Sequence, residues 1–290
     1  MKNRILFLFA FLVVITIPGY AQEPFYFMMI TDPQFGLYAG DKNFVQETAN
    51  YEFAVATINR LKPSFVVILG DLVNKTGDPE QIKEFQRISK KIDGSIPVYL
   101  VTGNHDIGAG PTTETLAAYR KNFGRDYYSF RSGPVYGIVL DTAIMVASKN
   151  ASSDYQDQLA WLKKELETAK ASGAAHIIVF QHHPYFTTDA KEADQPFNIP
   201  GESRKPFLDL LHSYGVHYVF AGHTHKNYVA KDGDMEMVAT GPVGMPFGDD
   251  GSGIRLAAVT PSGVQHHYFD FGKLPAKLTV TSQSGFAPAK

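Results

Sequence analysis

From residue 25 onward the chain alternates short apolar, aromatic-rich runs with longer amphipathic stretches. Short runs rich in β-branched and aromatic residues predict strands, and stretches with apolar positions three and four apart predict helices. On that basis strands are expected over 25–31, 64–70, 97–102, 135–141, 175–181 and 216–221. Helices are expected near 44–61, 78–91, 153–171 and 203–213. After Tyr228 only strand pieces follow, around 235–240, 254–260 and 264–270, punctuated by Gly and Pro. This change of rhythm predicts a terminal antiparallel section behind an α/β body.

Composition narrows the class. With 290 residues, 44% hydrophobic and 19% charged, the chain can bury a sizeable core and has no internal repeat or low-complexity tract. Lys and Arg number 27 against 29 Asp and Glu, a net charge of −2. That is no basic excess for neutralising phosphates, so no duplex nucleic-acid binding is expected. At the start of the chain, Lys2 and Arg4 precede an apolar run over 5–17, then Pro18-Gly19-Tyr20-Ala21. The pattern predicts a secretory signal peptide over 1–21, cleaved after Ala21, and a single domain over 22–290. The apolar run falls short of the ~20 residues that cross a bilayer, so no stable membrane anchor is expected. There is no cysteine, which excludes disulfides, thiolate metal sites, a cysteine nucleophile and a lipid-modified cysteine. A secreted or periplasmic location is the expectation.

Five of the first six predicted strands run directly into polar clusters. These are Asp32-Pro33-Gln34, Gly70-Asp71-Leu72-Val73-Asn74, Gly103-Asn104-His105-Asp106, Gln181-His182-His183-Pro184 and Gly222-His223-Thr224-His225. Ligands of open α/β sheets sit beyond the carboxyl ends of the strands, so these clusters can converge from distant parts of the chain. Gly70, Gly103 and Gly222 each precede a candidate ligand where the backbone must turn and approach closely. The donors are carboxylates from Asp32 and Asp71, amide oxygens from Gln34 and Asn104, and imidazoles from His182, His223 and His225. Seven hard oxygen and nitrogen donors suit two divalent ions (Mn, Fe, Zn or Mg) that share a carboxylate. A pair about 3.5–4 Å apart can bridge a hydroxide for attack on phosphorus, which implies phosphoester hydrolysis.

In the order and content of these motifs the sequence resembles the calcineurin-like metallophosphoesterases, from residue 25 to about 271. The resemblance implies a four-layer αββα sandwich of two mixed β-sheets flanked by helices. It implies Asp32, Gln34 and His225 at one metal, Asn104, His182 and His223 at the other, and Asp71 bridging. It further implies that His105 contacts the phosphate or leaving oxygen without ligating metal, and that Asp106 orients it. An imidazole titrates near neutral pH and can donate a proton there. A helix cap is the other reading of Asp106. Gln34 stands where the family usually has His, and its amide oxygen, a weaker neutral ligand than an imidazole, favours a harder or more exchangeable ion. The strings Thr31-Asp32-Pro33-Gln34-Phe35-Gly36, Phe180-Gln181-His182, Gly222 to Asn227 and Met237-Val238 resemble one branch, the calcineurin-like phosphoesterase domain-containing protein 1 type, which are serine/threonine phosphatases.

The implied partner is a phosphorylated substrate, a small molecule or a phosphoprotein, with a monoester favoured. Phosphodiester hydrolysis and metal-dependent binding without turnover are the alternatives. His183 adjoins His182, and neighbouring side chains on an extended segment point to opposite sides, so His182 is taken as the ligand. His183 is left to reach the substrate or to lie in the loop. Asp141 is read as an ordinary turn residue, and His176, His212, His217, His266 and His267 receive no role. The long segment 185–204 is a candidate rim. Within it Asn198 and Arg204 either contact phosphate or belong to a solvated loop with Arg204 opening the next helix.

Overall fold

The computed structural model describes residues 24–281 and 284–286. The expected leader over 1–21 lies outside the described residues. Elements follow in the order β1 (Phe25–Ile30), α1 (Val45–Leu61), β2 (Val66–Ile68), α2 (Pro79–Ser89), β3 (Val98–Leu100), α3 (Asn104–Ile107) and α4 (Thr113–Phe123). Next come β4 (Tyr128–Ser132), β5 (Val135–Val139), α5 (Ala143–Val146), α6 (Ser152–Ala171), β6 (His176–Phe180), α7 (Gly201–Ser213) and β7 (Tyr218–Ala221). The chain then continues through β8 (Tyr228–Asp232), β9 (Met235–Ala239), β10 (Gly253–Thr260), β11 (Gly263–Asp270), β12 (Val280–Thr281) and β13 (Gly285–Phe286).

Two mixed sheets dominate, one ordered β11-β10-β1-β2-β3 and the other β4-β5-β6-β7-β9-β8. Side-chain alternation divides each strand between two environments, which builds four layers. Phe27 and Met29 of β1, Val67 of β2, Ile178 and Phe180 of β6 and Phe220 of β7 meet in one core between the sheets. Their neighbours Met28, Ile30, Val66 and Ile68 face outward onto Ala54, Val55 and Ile58 of α1 and Phe85 and Ile88 of α2. On the far side, Val179, Val219 and Met237 pack against Leu162 and Leu166 of α6 and Phe207 and Leu211 of α7. The central core is aromatic: Phe65 and Phe27 stack at 4.7 Å, and Phe180 meets Phe27 edge-on. Each such ring contributes about 1.5–3 kcal/mol by leaving water.

Local signals place the helices. Asp78 accepts hydrogen bonds from the Glu80 and Gln81 N–H groups, and Pro79 opens α2. Thr112 and Thr115 exchange side-chain and backbone bonds at the start of α4.

Several expectations change. Strands 64–70 and 97–102 shrink to Val66–Ile68 and Val98–Leu100, because their flanking residues leave the ladder for loops. The terminal section is not one antiparallel unit. β10 and β11 form an antiparallel pair that joins β1, whereas β9 lies parallel to β7 and antiparallel to β8. α4, β4 and β8 were not anticipated.

Candidate functional site

Register brings the clusters together. In the first sheet Ile30 pairs with Ile68, and Ile68 with Leu100, so β1, β2 and β3 end side by side. In the second sheet Val139 pairs with Phe180 and Phe180 with Phe220, so β5, β6 and β7 also end level. Asp32, Asp71 and Asn104 follow the first three ends, and His182, His223 and His225 follow those of β6 and β7.

The chain turns at the predicted donors themselves. Asp32, Gln34, Asp71, His223 and His225 all have positive φ, between 38° and 69°, a region that non-glycine residues rarely occupy. Two glycines matter for a different reason, close approach. A Cβ on Gly103 would lie 2.1 Å from Asp71 Oδ1 and 2.2 Å from the Asp71 nitrogen. One on Gly222 would lie 1.9 Å from Thr31 Oγ1. Without these bare backbones the strand ends could not close on one another.

One carboxylate or imidazole atom each from Asp32, Asp71 and His182 lies within 4.8 Å of the others, and the same holds for one nitrogen each of His182, His183 and His223. His182 belongs to both groups. His182 Nε2 is 3.2 Å from Asp71 Oδ2, and His225 Nε2 is 3.4 Å from Asp32 Oδ1. Backbone carbonyls hold the other ring nitrogens: Leu69 O on His182 Nδ1 at 2.7 Å, Met245 O on His225 Nδ1 at 2.5 Å and Pro196 O on His223 Nε2 at 3.3 Å. A carbonyl only accepts, so each ring donates there and keeps a bare lone pair on its other nitrogen.

The remaining donors are prepared in the same way. Gln34 Nε2 donates to Asn74 Oδ1, and Asn74 Nδ2 to Asp41, which fixes the amide and frees Gln34 Oε1. Asp32 Oδ2 accepts from Thr31 Oγ1 and the His223 N–H, and Asp71 Oδ1 from the His105 N–H. This leaves Asp32 Oδ1, Gln34 Oε1, Asn104 Oδ1 and His182 Nε2 buried without a hydrogen-bond partner. Four unpartnered acceptors from three loops at the strand ends would be costly unless a cation satisfied them. The residues present therefore fit divalent metal.

Burial and neighbouring charge oppose one another across these groups in the absence of metal. Burial works against a charged His182, but the Asp71 carboxylate outweighs it and pushes the imidazole up to about 9. Burial would raise Asp71, yet His182 holds it well below the usual carboxylate range. Burial raises Asp32 and lowers His223, the latter to about 4.

Asp106 requires a correction. Its Oδ1 accepts from the Leu72 N–H at 2.8 Å and the Val73 N–H at 3.3 Å, and its Oδ2 from the Gly103 N–H at 2.8 Å. The carboxylate thus clamps the loop after β2 to the turn into α3 and caps that turn, instead of holding the His105 ring. The Asn74 carbonyl does that, 2.6 Å from His105 Nδ1, and leaves Nε2 free. Asn198 and Arg204 are not solvated, nor do they face the donors. Arg204 is buried and donates to the carbonyls of Tyr185, Ile199 and Glu192, while Asn198 donates to Glu192 Oε1 and Ala193 O. Asp141 Oδ1 accepts from the Ala143 and Ile144 N–H groups, the ordinary turn expected.

A family model described as calcineurin-like phosphoesterase matches residues 25–227. The chain belongs to that family. It is similar to the serine/threonine-protein phosphatase CPPED1 of Bos taurus, 36% identical over 269 residues that cover 88% of this chain and 86% of the relative. The fold is similar to a dimetal phosphatase from Danio rerio, at 14% identity and a TM-score of 0.57 over 85% of this chain and 99% of that one. It is also similar to purple acid phosphatase PPD1 from yellow lupin, at 15% identity and a TM-score of 0.61 over 89% and 56% of the two chains. The protein is thus a metallophosphoesterase, a phosphoric ester hydrolase, with Asp and His groups able to bind metal.

The sequence named Asn74 only as the end of the Gly70–Asn74 cluster and gave no sign that it holds Gln34 and His105. The carbonyls of Leu69, Met245, Pro196 and Asn74 left no trace in it, since every residue carries one.

Proposed function

We propose that this phosphoesterase hydrolyses phosphoric monoesters at the converging strand ends, with two divalent cations held by Asp32, Gln34, Asp71, Asn104, His182, His223 and His225. The observation that carries the reading is the set of four buried, unpartnered donor atoms on three loops at the strand ends, with Asp32, Asp71 and His182 within 4.8 Å of one another. When bound, such a pair supplies an activated water and neutralises charge developing on the phosphoryl and leaving oxygens. The protein's own part begins with the carbonyl-held imidazoles, whose ring orientations are fixed before anything binds. His105, anchored through Nδ1, presents Nε2, and in its cationic form the ring gives the Nε2 proton to the leaving oxygen and returns to the neutral imidazole with Nδ1–H still on the Asn74 carbonyl. Asp106 keeps His105 and Asn104 in place by tying their turn to the Asp71 loop.

Two walls favour a monoester. The loop over 185–200 reaches His223 through Pro196 O and sets Phe197 6.2 Å from its ring. On the other side Phe247 stacks on His225 at 4.1 Å, and the Gly244 N–H is bonded to Asp32 O. Aromatic rings beside both histidines support a substrate with one ester arm over one with two.

The test is hydrolysis of a chromogenic monoester and the matching diester after chelation, then with Mn, Mg, Zn or Fe restored. Metal-restored turnover should favour the monoester and be lost in Asn104→Ala. His105→Ala should keep its metals and lose about 100-fold or more in rate. Faster diester turnover would replace the monoester reading. Inert protein with two bound ions would indicate binding without catalysis.

A further inference from the structure

His183 is buried beside the donors, yet its hydrogen bonding is the reverse of theirs. Its ring centroid lies 4.2 Å from that of His223 and 5.0 Å from that of His182, and one nitrogen of each of the three rings falls within 4.8 Å of the others. Position alone would make it a third imidazole ligand. Its partner argues otherwise. Thr142, at the level end of β5, has a fully buried side chain whose Oγ1 accepts the His183 backbone N–H at 2.9 Å. The same oxygen lies 3.0 Å from His183 Nδ1. Thr142 Oγ1 has no other hydrogen-bond partner among the described residues. A hydroxyl carries one hydrogen, and a second incoming N–H would leave that hydrogen buried without an acceptor. Thr142 therefore donates to Nδ1, and the ring proton sits on Nε2. The neighbouring His182 and His223 donate to carbonyls and keep a lone pair; His183 accepts from a hydroxyl and keeps an N–H.

We propose that His183 contacts substrate, donating its Nε2–H to a non-bridging oxygen of the phosphoryl group beside His223, and that Thr142 is the positioning residue that sets this tautomer. An N–H cannot ligate a cation, but it suits an anionic oxygen and adds no charge next to bound metal. The chemical class recognised is a phosphoryl or inorganic phosphate group. The inference rests on the metal-site reading above, and the experiment separates the two.

Metal content, inorganic phosphate affinity by calorimetry, and kcat/KM are measured for the wild type, His183→Ala, His183→Asn and Thr142→Val. The imidazole nitrogen NMR spectrum of metal-free wild type is recorded alongside. His183→Ala should keep the wild-type number of metals and bind phosphate about 10- to 100-fold more weakly, the worth of a hydrogen bond to a charged acceptor. His183→Asn, which retains an N–H donor, should recover part of that loss, and Thr142→Val should lose less than His183→Ala. The spectrum should place the His183 proton on Nε2. Loss of one metal in His183→Ala would make it a ligand, and unchanged phosphate affinity would make it structural; either overturns the proposal, as does a proton on Nδ1. Wild type that bound no metal would instead overturn the metal-site reading, and this inference with it.

Discussion

At the scale of single residues, the site stores its cost in backbone conformation and desolvation. Five predicted donors occupy the left-handed region, where each non-glycine residue costs of order 1–3 kcal/mol. The tertiary contacts of the strand ends must hold them there. Desolvation is also visible at Asp141, fully buried beyond the end of β5 and pushed up to about 8 by burial and then by Asp126. A carboxyl held above its ordinary value stabilises the fold most at low pH, and the benefit is lost as pH rises towards the folded value. Wild-type stability should thus fall between about pH 4 and pH 8, with a slope of about 1.4 kcal/mol per pH unit from this group. Asp141→Asn should remove that slope. Denaturation midpoints of both proteins at pH 5 and pH 8 check it, and parallel pH dependence would refute the assignment.

Among elements, the strands that feed the site were legible because their clusters sit where apolar runs stop. The seven candidate donors and His105 were all named from strings such as Gly103-Asn104-His105-Asp106. The work of Asp106 was not, because whether a carboxylate faces a ring or three backbone N–H groups depends on how two loops lie against each other. The segment 185–204 gives the same lesson. Its polar residues read as a possible phosphate rim, yet Arg204 turns inward to satisfy three carbonyls and Glu192 gathers Thr187, Thr188 and Asn198. The loop so fixed delivers Pro196 O to His223. Arg204→Ala should therefore cost about 2–3 kcal/mol, by leaving buried acceptors unpaired. It should also raise KM more than it lowers kcat. Denaturant titration and steady-state kinetics measure the two effects; unchanged stability would mean the loop is held by something else.

The whole molecule is two sheets whose parallel strand ends face one another across the donors. Asp32, Asp71 and Asn104 come from one sheet and His182, His223 and His225 from the other, so cations bound there would cross-link the sandwich. Ligands that bind only the folded state stabilise it by mass action, about 2.7 kcal/mol at 100 times Kd. Chelation should then lower Tm by roughly 5–10 °C in a chain of this size, and restored metal should recover it. A Tm indifferent to chelation would count against donors shared between the sheets.

Hydrophobic alternation and the residue types at strand ends determined the α/β class, the order of the principal elements and the candidate donors, because period and side-chain chemistry are local properties. Tertiary structure alone decided how Asp106 and Arg204 are used, which carbonyl orients each imidazole, and why His183 differs from His182. Those distinctions depend on hydrogen-bond partners brought together from distant parts of the chain, and a hydrogen bond has no counterpart in one dimension.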